Sequence, residues 1–457
     1  MATLFSLKTA LTRHLSAQRL FILSFAVVIL AGAFFLWLPS SAGPNPISFV
    51  DALFTSTSAV CVTGLATIDI GRDLSLGGQI VTLVLFQCGG LGIITFSVVL
   101  FGLMGRGISF REREIVQSTF LHTPRRDFIQ IMKWVLMSTF AIEAVGTLLL
   151  FLRFIEDFPL SRALYLALFH AVSAFNNCGF SLFSDSLTGY RADLIVNLTV
   201  MTLIVLGGIG FIVQFETITK LRGIQKHLSI HTKTVLLMTA ILILLGAVFF
   251  YLFEMEHILK DTSLKTKILV SLFQSITPRT CGFNTVDIGQ LTNPTILILL
   301  GLMFIGASPG STGGGIKTTS FTLLLMIIWN RFKGSEDVNI FNRTIPQEVL
   351  TRTIAIIFAS AFTICLITSL LLFFSTGEYL SPVDSRHYFV EYLFETVSAF
   401  GTVGLSLGIT AKMSDIQKLA ILLMMFVGRV GPLTLAFSWH SARKKSITYA
   451  EESVMVG

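Results

Sequence analysis

The chain has 457 residues, of which 53% are hydrophobic and only 13% charged, with a mean hydropathy of +0.79. A soluble domain carries roughly 25% charged residues, so a water-exposed globule is excluded, and recurrent apolar runs of about twenty residues indicate an integral membrane protein. The net charge of +7 then asks where the basic residues lie in a membrane topology, and needs no nucleic acid as partner.

The first 18 residues are amphipathic and basic, with no small-residue cleavage site behind a short apolar core, and read as a cytoplasmic N-terminus instead of a signal peptide. An apolar helix over about 20–40 follows, and with it begins a pattern that recurs four times. The segments VDALFTSTSAVCVTGLA (50–66), LALFHAVSAFNNCGFSL (166–182), LVSLFQSITPRTCGFNT (269–285) and VEYLFETVSAFGTVGLS (390–406) share Leu-Phe, a stretch rich in Ser and Thr, then Gly before Leu or Phe. Phe to Gly spans ten residues in three copies (Phe54 to Gly64, Phe169 to Gly179, Phe394 to Gly404) and nine in Phe273 to Gly282, where Pro278 ends the helix early.

Each copy lies between two long apolar segments. Those before are expected at about 20–40, 129–154, 230–253 and 352–374, and those after at about 78–104, 194–219, 295–329 and 416–440. About a dozen residues before the glycine are too few to cross ~30 Å of hydrocarbon, so these segments must enter and return. Non-helical backbone at that depth is tolerated only where it lines a cavity. The expected fold is therefore all-α and integral to the membrane: four M1–P-loop–M2 repeats, eight transmembrane helices plus four re-entrant pore helices, around a pseudo-fourfold pore. The repeats fall at 19–104, 125–221, 229–329 and 350–440, with a cytoplasmic tail at 441–457. Lys and Arg concentrate on the side of both termini, at Lys8, Arg106, Arg111, Arg125, Lys220, Arg222 and Arg443 among others, which places both termini in the cytoplasm.

A cation losing its water needs replacement oxygens, and rings of backbone carbonyls supply them without titratable charge. Glycine lets carbonyls point inward because it visits backbone conformations that a Cβ forbids. The candidate ring is Val62, Thr63 and Gly64; Asn177, Cys178 and Gly179; Thr280, Cys281 and Gly282; Thr402, Val403 and Gly404. It contains no acid or base, which suits a monovalent cation better than calcium. Four copies in matching context outweigh the alternative that these glycines are turn or packing residues.

With these motifs the chain resembles the KtrB-type membrane subunits of the Trk/Ktr/HKT superfamily of potassium transporters, over essentially its whole length. The resemblance implies K+ as the substrate held at the filter residues. Glycine at 64 fits that, since serine at the corresponding position accompanies sodium preference in plant members. It further implies uptake across the bacterial inner membrane, Na+ as an activator, and a homodimer in membrane lipid. A KtrA-like cytoplasmic regulatory ring would carry the ATP or ADP, with no cofactor on this chain. The loops at 105–133 and 220–233 and the tail are the expected docking surfaces.

Two features interrupt the pore. The stretch GASPGSTGGGIKTTS (306–320) resembles a phosphate-binding loop, but Ile316 separates Gly315 from Lys317 and the flanks are membrane helices. Pro309 removes a helix hydrogen bond, and Gly310, Gly313, Gly314 and Gly315 weaken helix formation, so the helix must break. Gly306, Ala307, Ser308, Pro309, Gly310, Ser311, Thr312, Gly313, Gly314, Gly315 and Lys317 correspond to the family's intramembrane gating loop. Lys317 either adds positive charge to a closed gate or anchors the half-helix that follows. Alignment from the filter glycine puts Arg429 of VGRVGP where CGGLGI has Gly90 and LGGIGF has Gly208. Arg429 is either a structural contact or a cation raising the barrier below the filter, and the resemblance favours the second. Glu143, His170, Gln274 and Glu395 are read as packing or tethering residues and Asp51 as the cap of the first pore helix. The rival function is a secondary cation-coupled transporter with discontinuous helices; no catalytic constellation suggests an enzyme.

Overall fold

The computed structural model describes residues 17–92, 128–335, 337–375 and 382–432. Helix α1 (Ala17–Trp37) leads to the short α2 (Phe49–Val60) and then α3 (Leu76–Leu91). A long α4 (Phe128–Phe154) precedes α5 (Leu160–Phe175) and the broken pair α6 (Leu194–Gly208) and α7 (Phe211–Leu221). Next come α8 (Ile230–Glu254), α9 (Leu264–Ile276) and a second broken pair, α10 (Asn293–Phe304) and α11 (Thr318–Phe332). After a two-stranded hairpin, Asn339–Ile340 with Arg343–Thr344, the chain continues as α12 (Gln347–Ser375), α13 (Pro382–Gly401) and α14 (Asp415–Val430). Among the described residues α4 (over Lys133–Phe154), α8 and α12 are each long and apolar enough to cross a membrane, and α6 with α7 makes a fourth if counted as one span. Met137 and Phe358, each 73% exposed on these helices, turn apolar surface outward, as helices facing hydrocarbon do.

Side-chain caps set many of the helix starts. Ser48, Ser75, Ser229 and Ser263 each accept the backbone N–H three residues on, Asp193 does the same for α6, and Ser414 with Gln417 forms a capping box on α14. The phenylalanine of every sequence copy, Phe54, Phe169, Phe273 and Phe394, is completely buried. Two short helices are pinned to the long helix before them: Ser56 Oγ donates to Ile29 O and Ser275 Oγ to Ile243 O, both at 2.7 Å.

Four expectations need correction. The helix expected unbroken over 194–219 bends by 103° between Gly208 and Phe211, where Gly210 sits at φ +93°. The helices expected over 78–104 and 416–440 stop at Leu91 and Val430, capped by Gly92 (φ +80°) and Gly431 (φ +92°); 93–104 and 433–440 lie outside the described residues. The short helices are not all a dozen residues long, since α5 has 16 and α13 has 20; the polar start PVDSRH adds turns at the far end of α13. Finally, Ser48 and not Asp51 caps α2. Asp51 accepts from Ser48 Oγ at 2.6 Å and pairs with Lys418 Nζ at 2.8 Å, which ties the first quarter of the chain to the last. The segment 1–16, most of the loop 105–133 and the tail 441–457 lie outside the described residues.

Candidate functional site

Each of α2, α5, α9 and α13 ends in a turn built the same way. Two residues before the glycine the backbone is left-handed, at Val62 (φ +56°), Asn177 (+57°), Thr280 (+84°) and Thr402 (+51°), and the glycine is left-handed again, at φ between +74° and +93°. For a β-branched residue such a φ is uncommon and strained, so three of these four non-glycine positions are held against local preference by their surroundings.

The four turns meet in a closed cycle. A Cβ on Gly64 would stand 2.0 Å from Cys178 O, one on Gly179 1.9 Å from Cys281 O, one on Gly282 2.2 Å from Val403 O, and one on Gly404 2.2 Å from Thr63 O. Each carbonyl thus rests against the glycine of the preceding turn, and the last against the first. All twelve residues singled out in the sequence come together here. A cavity of about 370 Å³ opens on all four glycines, with Asp69 and Asp287 in its wall; acids at a narrow mouth raise the local cation concentration.

Buried polar side chains tether three of the four helices to the segment leaving their glycine. His170 Nε2 lies 3.0 Å from Ser181 Oγ, Gln274 Nε2 donates to Thr285 Oγ1 at 3.4 Å, and Glu395 accepts from Ser406 Oγ and, at 3.0 Å, from Thr410 Oγ1. These residues therefore tie the second, third and fourth turns to their own helices. Glu143 of α4 accepts from Gln87 of α3 (3.2 Å) and Asn176 at the end of α5 (3.1 Å).

At the opposite end from the cavity, the loop between α10 and α11 lies across the turns. It closes on itself through a bridge of Ile305 to Ile316, and Gly310 and Gly315 are left-handed. Three consecutive loop residues meet three consecutive turns. Thr312 Oγ1 lies 3.3 Å from the Asn177 amide oxygen, in the orientation that satisfies that amide. A Cβ on Gly313 would stand 2.0 Å from Thr280 Oγ1, and Gly314 N donates to Thr402 Oγ1 at 2.9 Å. Two cations divide the carbonyls of these three loop residues between them: Arg429 donates to Thr312 O and, at 2.5 Å, to Gly89 O of α3, while Lys317 Nζ donates to Gly313 O (2.8 Å) and Gly314 O (3.3 Å). Arg429 follows Gly428, whose Cα rests on Phe400 O just as Gly207 rests on Phe175 O and Gly89 on Val60 O.

Sequence reasoning did not find several residues of this neighbourhood. Arg279, three residues before Gly282, is buried and reaches Thr239 of α8. Glu216 caps α8 through Ser229 and Thr232, and Glu254 caps α10 through Thr292 and Thr295. The bend at Gly210 had a signal: glycines three apart recur in CGGLG, LGGIG and VGRVG. Nothing in the local sequence marks the acids, because their partners lie 13–41 residues away.

An all-helical membrane chain whose short helices bring uncharged backbone oxygens to one axis is of the class of membrane cation transport proteins. A family model described as "TrkH: Cation transport protein" matches residues 12–446, and the chain belongs to that family. It is 37% identical over 437 residues to the Ktr system potassium uptake protein B of Bacillus subtilis (strain 168), covering 95% of each chain. To the protein of the same name from Vibrio alginolyticus it is 37% identical over 441 residues, covering 96% of this chain and 94% of that one. To the potassium/sodium uptake protein NtpJ of Enterococcus hirae it is 33% identical over 456 residues, 99% of each. The crystal structure of the potassium transporter TrkH from Vibrio parahaemolyticus shares the fold, with a TM-score of 0.72 over 92% of this chain and 84% of that one, at 20% identity.

Proposed function

We propose that the protein carries K+ into the cell through a filter of backbone carbonyls, gated by an intramembrane loop. The cyclic approach of each carbonyl to the glycine of the preceding turn carries this reading. It gathers oxygens from four turns about one axis, in the number and neutrality that a dehydrated monovalent cation requires. The chain is on this account four helix–pore-helix–helix units, with the filter at Val62–Gly64, Asn177–Gly179, Thr280–Gly282 and Thr402–Gly404. The relatives named for potassium uptake support K+ as the ion, and the one named for potassium and sodium fits Na+ as a second participant.

The loop 306–317 is the gate. It lies across the inner ends of the turns, and the positive charges of Arg429 and Lys317 beside it oppose a cation leaving the filter. On this account the protein lies in the inner membrane with both termini in the cytoplasm, a reading supported by the concentration of Lys and Arg on the side of the termini. A homodimer would carry a nucleotide-binding cytoplasmic ring; the Ktr "system" names of the relatives support a partner subunit and no more than that. Broken helices also occur in secondary transporters, but those bind a substrate between two related halves, whereas here four turns share one ring.

The test is Rb+ and K+ uptake in a strain lacking its own potassium uptake. Gly282→Ser puts a Cβ 2.2 Å from Val403 O at φ +90°. A non-glycine residue there costs about 1–2 kcal/mol, and each 1.4 kcal/mol is tenfold in affinity. Half-saturation for K+ should rise about tenfold or more and Na+ should compete better. Unaltered uptake and selectivity in well-inserted protein would rule out the filter.

A further inference from the structure

The residue three before each filter glycine is Cys61, Asn176, Arg279 or Gly401. Two of these four are long and polar, both are buried, and both reach outward to the long helix at the start of their own unit. The Asn176 amide nitrogen donates to Gln87 Oε1 (2.5 Å), Glu143 Oε1 (3.1 Å) and Val172 O (2.8 Å). Its other face presses on α3, where a Cβ at Gly90 would stand 2.0 Å from Asn176 Oδ1. The Arg279 guanidinium reaches Thr239 on α8, with Nη1 3.4 Å from the carbonyl and Nη2 3.3 Å from Oγ1. Its Nε is buried without a partner, and the bonds it does make are long. Cys61 and Gly401 have nothing of comparable length.

A buried guanidinium held, among the described residues, by a threonine alone is a poor stabiliser of the fold, since desolvating the charge costs several kcal/mol, and two long hydrogen bonds to neutral oxygens return little of it. Its value must lie in where it puts its own backbone. Asn176 and Arg279 each stand one residue before a left-handed filter residue, Asn177 and Thr280, so sideways movement of either anchor is passed directly to the carbonyls of that strand. We propose that Glu143 and Thr239, acting through Asn176 and Arg279, are positioning residues for ion selection: they hold the second and third filter strands to α4 and α8, whereas the corresponding Cys61 and Gly401 offer no such anchor to the first and fourth. On the cavity-size account of selection a ring that discriminates K+ from the smaller Na+ resists contraction, and two strands fixed from outside supply that resistance. This inference rests on the filter assigned above.

The experiment uses the full-length protein in proteoliposomes, measuring K+ and Na+ flux separately. Glu143→Gln alters the hydrogen-bonding of the Asn176 amide at constant shape, and Arg279→Gln shortens the second anchor. Each should lower the K+/Na+ flux ratio about fivefold or more and raise the KM for K+ with little loss of maximal rate. Arg279→Lys, which can still reach the Thr239 carbonyl, should fall between Arg279→Gln and the parent. Glu254→Gln is the control for a generally loosened protein: it disturbs a buried acid that caps α10 and is expected to leave the ratio alone. Should Arg279→Gln fail to insert, Thr239→Val removes only the hydroxyl acceptor and should shift the ratio about twofold in the same direction. An unchanged ratio in the anchor variants, alongside an altered ratio in Gly282→Ser, overturns the anchoring while the filter stands. An equal shift in Glu254→Gln overturns it as well. If Gly282→Ser also leaves the ratio unchanged, the filter itself is wrong.

Discussion

Gly313 and Gly314 lie where the helix breaks, between Phe304 and Thr318, and they have a second part in the loop. Neither is left-handed. They are glycines because the threonines of two turns lie against them, with a Cβ on Gly314 coming to 2.4 Å from Thr402 Oγ1. Gly314→Ala adds no backbone strain and one steric conflict, so it should lift the loop and raise flux through the protein by itself several-fold, as read by Rb+ efflux from proteoliposomes. Unchanged flux would show that the loop is not the barrier. The Asp51–Lys418 pair is a second case of a single residue with distant consequences. Its side chains are 18% and 12% exposed, between the exposed pairs worth at most about 1 kcal/mol and the buried ones whose breakage costs about 3–5. Lys418→Met should lower stability by about 1–2 kcal/mol, visible as a lower midpoint of thermal unfolding in detergent. Asp51→Asn added to it should cost little more.

Among the helices, the two broken pairs explain each other. A broken helix leaves backbone groups without partners, and in hydrocarbon such groups must be satisfied within the protein. The carbonyls of Gly207 and Gly208 accept from Thr312 N and Ser308 N, and Phe211 N donates to Gly310 O at 2.9 Å. The gap between α6 and α7 is thus filled by the backbone of the loop between α10 and α11. Removing the loop takes those partners away, and the cheapest remedy is for α6 and α7 to straighten. In a variant lacking 310–315, spin labels at Leu198 and Leu221 should move apart from about 20 Å towards the about 35 Å of a continuous helix of that length. An unchanged distance would show that the bend is held by something other than the loop. The same deletion should give constitutively high cation flux.

For the molecule as a whole, the membrane potential is the expected driving force, and it sets a limit. One charge crossing 100 mV gains about 2.3 kcal/mol, which corresponds to about fiftyfold accumulation at equilibrium. K+ accumulation in proteoliposomes should follow that limit as the imposed potential is varied. Accumulation well beyond it would require a coupled ion and favour the secondary transporter instead. The family match covers residues 12–446, nearly the whole chain.

Much of this was legible in the residues because the signals are local or repeated. Apolar length makes the chain a membrane protein, the Leu-Phe to glycine spacing recurs in each copy, and Pro309 with its glycines marks a helix that cannot continue. The register of the helix starts was likewise written in Ser48, Ser75, Ser263 and Ser414, each acting on a backbone group three residues away. What stayed hidden involves partners far apart in the chain. Arg429 and Gly89 are separated by 340 residues, Lys418 and Asp51 by 367, and Gly404 and the carbonyl of Thr63 by almost as much. Local patterning determines which segments are helical and where they break. Which carbonyl rests on which glycine, and that the loop fills the gap in another helix, follow only when the chain closes into a ring and every buried backbone group must find an oxygen or an N–H from a neighbour.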